Sequence, residues 1–208
     1  MDKVKFGIAG YGKMGKIREE SILNSSDAKL ISIYEISEYS HNDKSIVQCN
    51  SFDELLTTDI DAVIVSAYVS VAADYVIRAL NAGKHVFCEK PPSMTAKEMQ
   101  KVIETEKKMG RVLKYGFNHR FHYSAMEAKK VINDGGMGKM LWMRGVYGKA
   151  GSIDFHDNWR NYKNYSGGGI LLDQGIHMID LFRYFSNDEF ACLSSHLTSS
   201  FWNVECED

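Results

Sequence analysis

Three groups of residues have the types and spacing to do chemistry. Gly10-Tyr-Gly12-Lys-Met-Gly15 is a G-x-G-x-x-G run that follows a strand-like stretch and opens a helical one. With 17 glycines in the chain such spacing arises by chance, so its context decides. Gly10 permits a tight turn, Gly12 lets backbone approach a pyrophosphate, and Gly15 allows close helix–strand packing. The helix start adds N–H groups and partial positive charge, with Tyr11, Lys13 and Met14 completing the loop. Glu35 stands twenty residues past Gly15 at the end of the second apolar run, placed to accept both hydroxyls of an adenosine ribose. The bland alternative, a glycine-rich turn with a solvated glutamate, explains less.

The second group is Glu89-Lys90-Pro91, just after a strand. A lysine at a strand's C-terminal end can hydrogen-bond a substrate hydroxyl and stabilise the alkoxide that develops there. A solvated loop lysine is the competing description. The third group is Asp173 and His177, four apart on one helical stretch and so on one face, with Asp180 near it. An imidazole titrating near pH ~6.5 suits removal of a hydroxyl proton at neutral pH. A surface Asp–His pair or a core histidine would look the same. Metal is not expected, because no third ligand stands at diagnostic spacing.

These groups need scaffolding, and the chain's patterning supplies it. Strands are expected at 3–9, 29–35, 46–49, 62–67, 85–88 and 112–116, with helices at 13–23, 51–56, 72–81 and 95–109. Ser51 is a candidate N-cap, Thr95 with Glu98 a capping box, and Gly83 and Gly110 helix stops. Alternating strands and helices imply a doubly wound parallel sheet, of α/β class, over residues 1–120. Beyond Phe121 the texture changes: a helix at 124–133, a strand at 140–147, a polar stretch to Ser166, a helix at 170–185 after Gly167-Gly-Gly169, and a strand-like segment at 190–201. Residues 121–208 therefore read as a second, partial α/β domain.

Composition excludes several classes. Among 208 residues, 25 Lys and Arg balance 27 Asp and Glu, which leaves no electrostatic footprint for nucleic acid or anionic lipid. Apolar runs are too short to span a bilayer. The start of the chain shows no signal or transit pattern, and the four cysteines form no CxxC pair, so a cytoplasmic protein with reduced thiols is expected. Cys88 reads as a buried strand thiol rather than a reactive one.

The chain resembles the glucose–fructose oxidoreductase, inositol dehydrogenase and rhizopine-catabolism family of NAD(P)-dependent sugar and polyol dehydrogenases. The resemblance rests on Gly7-Ile-Ala-Gly10-Tyr-Gly12-Lys-Met-Gly15, Glu89-Lys90-Pro91, Tyr115-Gly-Phe-Asn118-His-Arg120-Phe121 and Ser166-Gly-Gly-Gly-Ile-Leu-Leu-Asp173-Gln-Gly-Ile-His177-Met-Ile-Asp180. It implies Lys90, Asp173 and His177 as the catalytic set. It also implies cofactor contacts from Ala67, Glu89 and Lys90 besides the glycine loop and Glu35, and a large second-domain sheet that mediates homo-oligomerisation. Asn118, Arg120, Trp159 and Arg160 are then candidate substrate contacts. Two departures stand out. After the fourth strand the family usually carries Thr-Pro-Asn and a downstream His, where this chain has Ala67-Tyr68-Val69 and Ala72; and its second domain runs well beyond residue 208.

A dehydrogenase acting on a secondary alcohol of a sugar, nucleotide sugar or cyclitol is the leading expectation. The base is either His177 or a Lys90 deprotonated through burial. NAD is favoured over NADP, because a 2′-phosphate ~4 Å from Glu35 meets repulsion of up to ~4 kcal/mol before screening. Ile36-Ser-Glu-Tyr-Ser40 offers no cation to offset it. A binder without turnover is the rival, since the catalytic set is intact but the second domain is short. A dihydrodipicolinate- or biliverdin-reductase-like enzyme fits the glycine loop but not Lys90 with Asp173 and His177.

Overall fold

In the computed structural model, which describes residues 2–148 and 158–208, six segments of the first half become strands. They are β1 (Val4–Ala9), β2 (Ala28–Tyr34), β3 (Val47–Cys49), β4 (Ala62–Val65), β5 (His85–Cys88) and β6 (Leu113–Tyr115). Helices α1 (Lys13–Leu23), α2 (Phe52–Thr57), α3 (Val69–Asn81) and α4 (Ala96–Met109) connect them. All pairs are parallel and the order is β3-β2-β1-β4-β5-β6. The chain's winding reverses between β1 and β4, which leaves a crevice at their C-terminal ends, where α/β sheets bind ligands.

The strand β4 shows why the central runs are continuously apolar: all four of its residues are buried, as a strand covered on both faces requires. Val63 and Val65 pack on one side with Val76, Leu80, Val86 and Val102. Ile64 points the other way, to Ile8, Ile22, Leu30 and Ile33. Each such side chain contributes about 1.5–3 kcal/mol of burial. Helix ends follow local chemistry. The Glu98 N–H donates to Thr95 Oγ1 at 3.2 Å while the Thr95 N–H donates back to Glu98 Oε2 at 3.3 Å, and Gly110 closes α4 in the left-handed region at φ 59°. Thr95→Ala is expected to lower stability by about 1 kcal/mol, with Thr95→Ser restoring it, as read by urea denaturation. An unchanged midpoint in the alanine variant would mean the box contributes nothing.

The structure corrects two boundaries here. The strand β4 ends at Val65 rather than at 67, and α3 starts at Val69 rather than at 72. The β-branched Val69 and Val71 mask the start, but the N–H groups of Val71 and Ala72 already bond to the Tyr68 carbonyl.

The chain divides into two units, Met1–Gly116 and Phe117–Asp208. The second unit contains a 3-10 turn (Asn118–Phe121), α5 (Tyr123–Asn133), another 3-10 turn (Trp159–Asn161), the single-turn α6 (Lys163–Ser166), a π-helical turn (Leu171–Gly175) and α7 (Ile176–Ser186). Among its described residues there is no strand, contrary to the expectation at 140–147 and 190–201. A strand exists only as part of a ladder, and neither segment has a paired neighbour there. Instead Gly145 lies against α7, where a side chain would meet Met178 and Phe182. Leu141, Trp142, Val146, Leu193 and Phe201 are each at least 76% exposed. The residues next to Asp208 fold back on the glycine turn, with the Ile170 N–H donating to the Glu207 carbonyl at 3.2 Å. The polar stretch before Ser166 falls partly outside the described residues. Among those residues no helix is long and apolar enough to cross a membrane.

Candidate functional site

The first unit carries the glycine loop between β1 and α1. Gly10 has φ +91°, and a Cβ there would lie 2.6 Å from the Ser66 carbonyl carbon and oxygen, so no other residue fits. Ser66, just after β4, donates its hydroxyl to the Gly10 carbonyl at 2.6 Å and ties the loop across the crevice. A side chain at Gly15 would strike that same carbonyl. Gly12 differs: as N-cap of α1 it opens onto space, with nothing within 4 Å of a Cβ position. No side chain caps α1 and no carboxylate sits in its first turn. An open cradle at an uncapped helix start fits a pyrophosphate.

Glu35, one residue past β2, accepts the Tyr11 N–H on Oε2 and the Ser37 N–H on Oε1 at 3.0 Å. The Tyr11 hydroxyl donates to Glu19, whose other oxygen lies 2.7 Å from His41 Nε2. Burial and then the Glu19 carboxylate hold the Tyr11 hydroxyl well above its usual range, so it stays a donor. Tyr39, with its ring 5.5 Å from that of Tyr11, is pushed up to about 12, chiefly by burial. Glu89, after β5, is gripped by Arg18 from α1, whose Nε lies 2.6 Å from Oε1. The Arg18 guanidinium covers the Phe87 ring at 4.8 Å. Lys90 follows with a cis bond to Pro91. Cys88 is fully buried and its thiol is raised by that burial, as suits a structural strand residue. Ala72, where the family usually has a histidine, is 3% exposed within the core.

In the second unit Asp173 belongs to the π-helical turn and His177 to the start of α7. The sequence placed both on one regular helix; the π turn widens that helix at its start, a feature often found at functional sites. The Asp173 Oδ2 accepts from Gln174 Nε2 at 2.7 Å and lies 3.3 Å from Arg160 Nε, whose guanidinium covers the Trp159 ring at 4.4 Å. Trp159, Arg160 and Asp173 thus form one cluster, and Arg160 and Asp173 line a pocket with Ile170, Trp202 and Glu207. His177 is 3% exposed and belongs to a second cluster, with its ring on that of His119. Arg120 is engaged elsewhere, in a two-bonded pair with the buried Asp180, with Nε 2.7 Å from Oδ2. That hydrogen bond is the main cause holding the guanidinium above its usual range. Asn118 is exposed at the start of its 3-10 turn. Among the described residues no group of three or more His, Cys, Asp or Glu could hold a metal ion. Ser66, Arg18, Gln174 and His119 went unassigned in the sequence because each acts through a partner that spacing does not reveal.

Residues 4–117 match the family described as "Oxidoreductase family, NAD-binding Rossmann fold", and 125–208 match the "GFO/IDH/MocA C-terminal domain". Inositol 2-dehydrogenase of Salmonella typhimurium is 29% identical over 196 residues, 90% of this chain and 56% of that protein. Myo-inositol 2-dehydrogenase of Thermotoga maritima is 32% identical over 192 residues, 89% of this chain and 56% of that protein. The crystal structure of myo-inositol 2-dehydrogenase from Lactobacillus plantarum superposes with a TM-score of 0.81 at 27% identity, covering 89% of this chain and 57% of that one. The chain therefore spans little more than half the length of these relatives.

Proposed function

Because the chain belongs to the GFO/IDH/MocA oxidoreductase family, we propose that it is an NAD-dependent dehydrogenase that moves hydride between nicotinamide and a secondary alcohol of a sugar, nucleotide sugar or cyclitol. The observation that carries this reading is the glycine loop, where only Gly12 opens outward at an uncapped helix start with Glu35 beside it. The loop, Glu35, Ala67, Glu89 and Lys90 would hold the dinucleotide, which when bound supplies the hydride acceptor.

The remaining chemistry falls to side chains. His177 takes the hydroxyl proton as the C–H electron pair leaves as hydride. The Lys90 ammonium hydrogen-bonds the same oxygen and steadies its developing charge; a neutral Lys90 acting as base is the variant to be tested against it. Asp173, oriented by Arg160 and Gln174, accepts a neighbouring substrate hydroxyl. The face of Trp159 suits a sugar's C–H surface, with Asn118, Arg120 and Arg160 as further contacts.

Glu35 sets the choice of dinucleotide. Glu35→Ser is expected to raise NADP affinity about tenfold and lower NAD affinity about as much, measured by titration calorimetry. If both affinities hold, the carboxylate does not face the ribose.

A second reading, a chain that binds NAD without turnover, is favoured by the exposed Leu141, Trp142, Val146, Leu193 and Phe201. A homo-oligomer through the second unit would cover such side chains. Light scattering on the purified chain with and without NAD, followed by hydride transfer on myo-inositol and a sugar panel, separates the two. A discrete oligomer that reduces NAD supports the dehydrogenase. Stabilisation by NAD without turnover supports the silent binder.

A further inference from the structure

Within the second unit His177 is covered on one face by another imidazole. His119 lies parallel to it, with ring centroids 3.9 Å apart and planes 10° from coincidence, and Phe117 meets it edge-on at 6.2 Å. His119 in turn stacks with Tyr147 at 5.9 Å and meets His122 edge-on at 5.0 Å. We propose that His119 is a positioning residue for His177, whose ring fixes the plane of the buried imidazole and opposes a second proton in the stack. The consequence is that His177 stays able to accept a proton from a substrate hydroxyl. This rests on the reading of His177 as proton acceptor given above.

The physical case begins with charge. Two imidazolium rings face to face hold like charges a few ångströms apart, so the stack keeps one proton far more readily than two. Its protons then come off in two macroscopic steps that belong to the pair. Burial decides where the first resides. His177 is 3% exposed while His119 is partly open to solvent, so burial opposes a cation more strongly on His177 than on His119.

Several described charges nearby have partners of their own. Asp173, four residues earlier in the π-helical turn, is engaged by Arg160 and Gln174. Asp180, on α7 with His177, is engaged by Arg120 from the 3-10 turn. Arg183, further along α7, pairs with Glu189. From α5, Lys129 bonds the Tyr184 carbonyl and Asn187. The 140–148 segment brings Arg144 and Tyr147, and His122 completes the set against His119. The ring-on-ring contact sets against His177 a group that can itself change charge.

The test is an NMR titration of the full chain carrying 13C-labelled histidine, with the His177 signal assigned by loss in His177→Gln. His119→Phe keeps a flat ring on the stack but removes its charge, and exchanges repulsion for an aromatic face that favours a cation. The His177 midpoint is expected to rise by about one pH unit in His119→Phe. It should fall by a similar amount in His119→Arg, which fixes a cation over the ring. His119→Gln, smaller and uncharged, serves if the phenylalanine variant does not fold, and moves the midpoint upward. A midpoint unmoved in the folded variants overturns the proposal.

The acid limb of the kcat/KM profile for NAD reduction reads the functional premise separately, and should follow the NMR midpoint in direction. Midpoints that move as expected in a chain that reduces NAD on no sugar or cyclitol establish the stack's control of His177 and overturn the dehydrogenase reading instead.

Discussion

Gly10→Ala is expected to destabilise the chain by about 3 kcal/mol and to abolish NAD binding, whereas Gly12→Ala is expected to leave the fold intact and weaken binding alone. The difference follows from what each added methyl meets. At Gly10 it forces an L side chain into φ +91°, a region that costs a non-glycine residue about 1–2 kcal/mol even without a clash. It also lands 2.6 Å from the Ser66 backbone, which cannot swing aside as a side chain would. To relieve the contact the end of β4 must move, and the 2.6 Å bond from Ser66 to the Gly10 carbonyl goes with it. At Gly12 the methyl meets nothing. Stability should then stay within about 0.5 kcal/mol of the parent, while NAD affinity falls more than about tenfold, because the methyl stands where a phosphate must approach. Urea denaturation and NAD titration on the same samples read both quantities. A Gly12→Ala chain that binds NAD like the parent would remove the pyrophosphate from that cradle.

The second large effect is on turnover. Lys90→Ala and His177→Asn are each expected to lower kcat by about 100- to 10,000-fold, the usual range for losing a general acid–base group or a charge-stabilising donor. NAD affinity should stay within about threefold of the parent in His177→Asn, because His177 is not among the cofactor contacts, and should fall further in Lys90→Ala, because Lys90 is one of them. Single-turnover absorbance of NADH, beside equilibrium titration of NAD, separates chemistry from binding. If His177→Asn keeps its rate while Lys90→Ala loses it, the lysine is the base. Rates within a few-fold of the parent in both variants would overturn the assigned roles.

Local chemistry was legible in the sequence; long-range partnership was not. The central strand β4 announces itself because a strand buried on both faces must be apolar throughout, as Val63-Ile-Val65 is. Helix ends such as Thr95–Glu98 and Gly110 involve residues a few positions apart, so the code is short. The start of α3 was hidden because Val69 and Val71 favour strands by themselves, and only the preceding carbonyl turns them helical. Alternation at 140–147 and 190–201 suggested strands, but alternation specifies a face and says nothing of a neighbour. The site divides the same way. The glycine loop is a property of contiguous backbone and was readable down to its single open position. The Arg18 pair with Glu89 joins residues 71 apart, and the ring of His119 meets that of His177 from a separate element. No spacing rule encodes either contact. Arg120 belongs here too: its motif suggested a ligand contact, and its pair with the buried Asp180, sixty residues on, was not announced by any spacing.

The loop's internal bonds also bear on how quickly a nucleotide can arrive. The Gly10 carbonyl is held by Ser66 and the Tyr11 N–H by Glu35, while the Tyr11 ring is moored through Glu19 to His41. A segment so anchored is ordered by folding, before any encounter, and a diffusing dinucleotide meets a receptor already in shape. Its capture is then expected to be a single collisional event whose rate rises in proportion to concentration without a plateau, since the loop needs no slow rearrangement between contact and complex.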